Sequence, residues 1–193
     1  MTTAGAHLLE LCDDVLARAA TAGATACEAF AEYVKETSAS VEQNELKGAS
    51  SAEHEAVGIR VFVGDRLGFA YVNRFDDESL DDAIKDAVAI AKASPGDPAN
   101  GLLEPLPGKA VKGLWDDALA TLPPEAVVER TVALFEQARR VDKRVSVDNA
   151  SFSATLAHSA VVSTAGVRAA ASETAASWGL FGMAVDGDEV GSF

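Results

Sequence analysis

The chain has 193 residues, with 16 Lys and Arg against 30 Asp and Glu, a formal net charge of −14, and 48% hydrophobic residues. The apolar share excludes a disordered chain, the lack of any apolar run of about 18 residues leaves no membrane helix, and the acid excess argues against direct nucleic-acid binding, because phosphates recruit Lys and Arg. Such a length suits one large domain or two small ones and is expected to bury roughly 70% of the unfolded surface.

The opening Met-Thr-Thr-Ala-Gly-Ala-His lacks the basic region and apolar core of a signal peptide, so the cytoplasm is the expected location. Leu8, Leu9, Cys12, Val15, Leu16 and Ala19 then recur at helical spacing, and Gly23 is a C-cap signal. A strand is expected over 28–35, where Glu32 and Val34 break strict period two. A second, more polar strand is expected over 38–46, centred on Val41, as suits a sheet edge. The segment 44–48 could turn the chain. The strongest strand signal is 57–72. Val57, Ile59, Val61 and Val63 alternate with Gly58, Arg60 and Phe62. Gly64-Asp65-Arg66 turns the chain, and Leu67, Phe69 and Tyr71 resume the period in a hairpin.

Asp76 can cap the next helix, whose Leu80, Ile84, Ala87, Val88 and Ala91 form one face. Asp77, Glu78, Asp81 and Asp82 lie near its positive end, and Ser94-Pro95 stops it. Residues 94–113 hold four of the six prolines and read as a long irregular connection. Pro123 and Pro124 open a further helix with Val127, Val128, Thr131, Leu134, Phe135 and Ala138 inward. Alternating strands follow around Val145 and Val147, around Phe152, Ala154 and Leu156, and around Val161 and Val162. After a turn at Thr164-Ala165-Gly166, a small-residue strand continues over 167–185. This order is not the βαβα of a doubly wound fold. The expected class is α+β, helices packed on a mostly antiparallel β-sheet.

Candidate chemistry is sparse. Cys12 and Cys27 have no metal spacing and read as reduced core residues. His54-Glu55 begins like a zinc-peptidase helix, but the position one turn on is Gly58, the next is Ile59, and the segment leads into a strand. No sequence argument joins His7 or His158 to His54. Ser151, Ser153, Ser159 and Ser163 lie near His158 without a nucleophile elbow. Gly64 and Gly68 lack dinucleotide-loop spacing, Trp115 and Trp178 read as packing anchors, and the acids from Asp76 to Asp86 read as a solvated helix face. The expectation is no catalytic and no metal-binding residue in this chain, with any peptide-binding residues undefined.

The run Val57-Gly58-Ile59-Arg60-Val61-Phe62-Val63-Gly64-Asp65-Arg66-Leu67-Gly68-Phe69-Ala70 closely resembles the N-terminal hairpin of the TldD/PmbA family, the so-called modulators of DNA gyrase. Supporting pieces occur in the right order. They are the opening helix, the strand from Cys27 to Val34, and Ser40-Val41-Glu42-Gln43-Asn44-Glu45-Leu46. Ala91-Lys92-Ala93-Ser94-Pro95-Gly96-Asp97-Pro98 is similar to the PmbA branch, and Ser163-Thr164-Ala165-Gly166-Val167 follows. The resemblance covers nearly the whole chain.

It implies a cytoplasmic zinc-metallopeptidase system acting on peptides or unfolded protein segments through paired homologous subunits. It also implies that the His-Glu-x-x-x-His zinc helix lies in a C-terminal domain beyond Gly191-Ser192-Phe193, so residues 1–193 are expected to be an N-terminal substrate-cavity and assembly domain with no metal of its own. Neither nucleic acid nor membrane is an expected partner. The alternative is a free-standing acidic interaction module for a protein such as a topoisomerase.

Overall fold

A computed structural model describes residues 3–43, 45–106, 108–109 and 111–193. Four helices and six strands follow in the order α1 (Thr3–Ala22), β1 (Ala26–Glu42), β2 (Glu45–Val63), β3 (Arg66–Val72), α2 (Asp77–Ala93), α3 (Asp117–Ala120), α4 (Pro124–Arg139), β4 (Val145–Ser163), β5 (Arg168–Asp186) and β6 (Glu189–Ser192). The strands form one sheet in the order β3-β2-β1-β4-β5-β6. β2–β3 and β5–β6 are antiparallel. At opposite ends of β1, Thr164 N–H donates to Cys27 C=O and Gln43 N–H donates to Asp148 C=O, so β1 and β4 are antiparallel with an unbroken register. The α+β class is observed. No helix among the described residues is long and apolar enough to cross a membrane.

The hairpin of β2 and β3 matches the sequence reading, with Val63 opposite Arg66 and Val57 opposite Val72. The two strands expected over 28–35 and 38–46 are instead one strand, β1, and the chain turns at Gln43, whose φ is +48°. The polar stretch that reads as a break is satisfied across the sheet. Thr37 Oγ1 lies 3.2 Å from Ser51 Oγ, Ser38 Oγ lies 3.0 Å from Ser50 Oγ, and Lys35 Nζ lies 3.2 Å from Glu53 Oε1. Such cross-strand pairs stabilise a strand as well as apolar alternation does. The separate strands expected after Arg144 are likewise the single β4, and α3, capped by Asp116, has no counterpart in the sequence reading. The connection over 94–113 has neither helix nor strand among its described residues.

Contacts divide the chain into two units, and the long strands contribute to both. The first comprises Met1–Val34, His54–Lys112 and Ala157–Ser172. Its core packs Leu8, Leu9, Cys12, Val15 and Ala19 of α1 and Leu80, Ile84, Ala87, Val88 and Ala91 of α2 with Val57, Ile59 and Val61 of β2. Each fully buried Val, Leu or Ile contributes about 1.5–3 kcal/mol. The α1 end is closed by Gly23 at φ +103°, with Ala24 N–H donating to Ala19 C=O and Gly23 N–H to Ala20 C=O. Asp76 caps α2 by accepting from Ser79 N–H, which holds its carboxyl below the usual carboxylate range. Arg18 ties the helices together through Asp14 on α1 and Asp77 and Asp81 on α2. Cys12 and Cys27 are free and buried, and burial pushes their thiols up to about 11 and about 12.

The second unit comprises Lys35–Glu53, Gly113–Leu156 and Glu173–Phe193. Val41, Phe135, Val147 and Ala150 form one buried cluster, and Ala39, Val127 and Ala154 form another. Thr131 is fully buried between them in sequence, and its hydroxyl donates to Val127 C=O at 2.9 Å. α4 thus presents the face that its periodicity predicts.

Candidate functional site

The first unit contains a cavity of about 330 Å³ lined by Ala4, His7 and Leu8 of α1, Tyr33 of β1, Glu55 of β2, Phe75 ahead of α2, and His158 of β4. Strand register builds its floor. The bonds at both ends of β1 place Tyr33 opposite His158, and the side-chain pairs Lys35–Glu53 and Glu28–Arg60 place Tyr33 opposite Glu55. Three side chains from neighbouring strands therefore stand in one row, on the face that carries the inward Ala29 and Ala31, Val57 and Ile59, and Ala160 and Val162.

Within the row, the Tyr33 and His158 rings stack with centroids 6.4 Å apart and planes 21° from parallel. His158 Nδ1 lies 2.8 Å from Ser172 Oγ. Burial disfavours the imidazolium and lowers the His158 pKa, so the ring is neutral at pH 7. Glu55 Oε1 accepts a hydrogen bond of 3.2 Å from Phe75 N–H. Glu55 has no ion-pair partner among the described residues.

The histidines that sequence spacing leaves apart are thus partly joined. His7 and His158 share the cavity, whereas His54 is exposed and Glu55, its neighbour, turns inward. The residues present do not make a zinc set. His54 and Gly58 lie on a strand, and among the described residues no group of three or more His, Cys, Asp or Glu is placed to hold a metal ion.

Several of the remaining sequence candidates make local structural contacts. Ser153 pairs with Ser177 at 2.8 Å, and Ser163 is buried and accepts from Val167 N–H. Trp115 donates to Asp117 at 2.8 Å. Gly64 turns the hairpin at φ +65°, and Gly68 allows α2 to approach β3. In the second unit Arg144 is held by Asp142 and Asp186, and the Arg144 side chain pulls the Asp142 carboxyl down to about 2.

The expected edge is corrected. Residues 38–42 belong to β1, which lies between β2 and β4, and Val41 is 3% exposed. Polar side chains there mark paired hydroxyls, not an edge. An open edge lies one strand over, on β2. β3 pairs only with Val57–Val63, and residues 45–53 of β2, in the second unit, are all exposed.

Trp178, read as a packing anchor, is 70% exposed. On the other face of β5, Phe181, Met183 and Val185 at alternate positions, with Val190 of β6 paired opposite Val185, make an exposed apolar row on the second unit. On the first unit the sheet exposes Phe30, Phe69 and Tyr71.

Residues 27–91, spanning most of β1 through α2, match the family model described as PmbA/TldA metallopeptidase domain 1. Over these residues the chain is similar to the first domain of that family. Its fold is similar to that of TldE from Thermococcus kodakarensis, with a TM-score of 0.82 at 24% identity over 93% of this chain and 40% of that one. A candidate modulator of DNA gyrase from Bacteroides thetaiotaomicron gives 0.82 at 21% identity, over 95% of this chain and 43% of that one. A candidate modulator of a DNA gyrase from Thermotoga maritima gives 0.80 at 15% identity, over 95% and 41%. The chain therefore spans about two fifths of the length of these structures. No curated protein matches the sequence.

Proposed function

We propose that residues 1–193 form a wall and assembly domain of a PmbA/TldD-type peptidase system that acts on peptides or unfolded protein segments. The zinc chemistry is supplied by a different domain or subunit. The observation that carries this reading is β5. Nearly its whole length is exposed, and one face of it presents Phe181, Met183 and Val185, with Val190 of β6 beside them, to solvent. Isolated proteins rarely leave so many neighbouring large apolar side chains uncovered, because each one buried recovers about 1.5–3 kcal/mol. A homologous subunit is the partner that the resemblance to the PmbA/TldD family implies.

The open edge at residues 45–53 offers backbone donors and acceptors to an extended peptide with little sequence preference. The net charge of −14 favours basic or neutral segments. Two free, buried cysteines fit a reducing compartment such as the cytoplasm. The names of two structural neighbours support a second reading, an acidic module that binds a topoisomerase through the same surface.

The test is complex formation measured by size-exclusion chromatography with light scattering. The chain is mixed in turn with a TldD-type subunit and with gyrase. The proposal expects a complex with the TldD-type subunit that the double variant Phe181→Asp, Met183→Asp weakens at least tenfold. A complex with gyrase alone, or an unaffected double variant, contradicts it.

A further inference from the structure

We propose that the cavity lined by α1 and the Tyr33–Glu55–His158 row binds a primary ammonium group carried on an apolar arm. The proposal is independent of the assembly reading, since none of its residues belongs to the β5 and β6 surface.

Charge is the first argument. Glu55 is the one carboxylate in the lining, and it has no cationic partner among the described residues. His158 does not neutralise it at pH 7, because burial keeps that ring uncharged. The start of α1 beside Ala4 contributes about half a positive charge, which is less than the full negative charge of the carboxylate. The net charge of −14 adds long-range attraction for cations.

Geometry selects among cations. Phe75 N–H takes one acceptor site of Glu55 Oε1 at 3.2 Å, so Oε2 is the freer oxygen. A guanidinium is best held by both oxygens of a carboxylate at once, and the Phe75 N–H competes with one arm of that fork. Calcium takes six to eight oxygen ligands and magnesium needs near-octahedral geometry, which one carboxylate cannot supply. An ammonium needs one strong acceptor and tolerates aromatic faces around its remaining hydrogens. Tyr33 and Phe75 provide those faces, and Ala4 and Leu8 provide apolar wall. The volume of about 330 Å³ accommodates an alkyl arm the length of a lysine side chain. Two sources carry this chemistry, a lysine side chain and the free N-terminus of a peptide with an apolar first residue.

The test is calorimetric titration of the whole chain with hexylammonium, hexanol and hexanoate at pH 7.5. Hexylammonium is expected to bind at least tenfold more tightly than either analogue. Glu55→Gln keeps the acceptor for Phe75 N–H and is expected to abolish that preference, whereas His54→Ala, on the outer face, is expected to leave it intact. Circular dichroism checks that both variants are folded. An N-acetylated lysine peptide that displaces hexylammonium assigns the side chain as the source. A free-amine peptide with norleucine in place of lysine assigns the terminus. The proposal is overturned if hexylammonium binds no better than hexanol, or if Glu55→Gln binds it as tightly as the parent chain.

Discussion

Gly68 sits where β3 meets α2, and replacing it by alanine forces the two elements apart. A methyl group built there lies 1.9 Å from Ala87 C=O and 2.6 Å from Ala91 N, where ordinary contact begins at 3.4 Å. Both neighbours are backbone atoms of one helix, so no side chain can swing away. The helix must retreat by about 1.5 Å, well past the 0.5–1 Å gap that already forfeits a quarter to a half of a dispersion contact. α2 buries Leu80, Ala83, Ile84, Ala87, Val88 and Ala91, so the loss is shared by its whole inner face. Gly68→Ala is therefore expected to cost about 3 kcal/mol, the upper part of the range for overpacking. Gly48→Ala, with nothing within 4 Å of the added methyl, is the control and is expected to change stability by less than about 0.5 kcal/mol. Urea unfolding followed by far-UV circular dichroism reads both, because Trp115 and Trp178 lie in the second unit and do not report on this contact. A Gly68→Ala loss below about 1 kcal/mol, at an unchanged denaturant slope, refutes the close approach of α2.

The corrected strand order gives a paired prediction. Gln43 N–H faces β4, so odd residues of β1 bond to β4 and even ones to β2, which leaves odd residues of β2 facing the open edge. Val41→Pro is then expected to cost about 3 kcal/mol or more and Ala49→Pro less than about 1 kcal/mol, and equal losses in chemical denaturation contradict the order. Cys12 and Cys27, with thiols raised to about 11 and about 12, are expected to react with an aromatic disulfide reagent at pH 8 only after unfolding; rapid labelling of the native chain contradicts their burial. The buried His158 has a lowered pKa, so the unfolded chain takes up that proton first. Its contribution is complete above the unfolded value near 6.5 and is lost as pH falls through the lower folded value. Between pH 7.5 and 5 the parent chain should lose more thermal stability than His158→Gln, and parallel losses refute the assignment.

The hairpin of β2 and β3 is legible in sequence because alternation and turn chemistry agree on the same residues, and α2 is legible because its cap and apolar face do. β1 is not, because Thr37 and Ser38 read as a break until Ser51 and Ser50 are seen across from them. The edge was misplaced for the same reason. Polar alternation distinguishes an edge strand from an internal strand with paired hydroxyls only once the partner strands are known. The cavity was not legible either. His7, Glu55 and His158 meet through the register of three strands and the docking of α1, and no local spacing encodes that. In the sequence Glu55 stands out only as half of a zinc-like pair with His54, whose side chain points the other way.

The most direct test of the assembly reading is hydrogen–deuterium exchange on this chain, alone and in the presence of a TldD-type subunit. Backbone amides of β5 and β6 are expected to gain protection in the complex, as burial of Phe181, Met183 and Val190 requires, while those of α1 and α2 keep their rates. Complex formation with unchanged exchange in β5 and β6 would contradict the account.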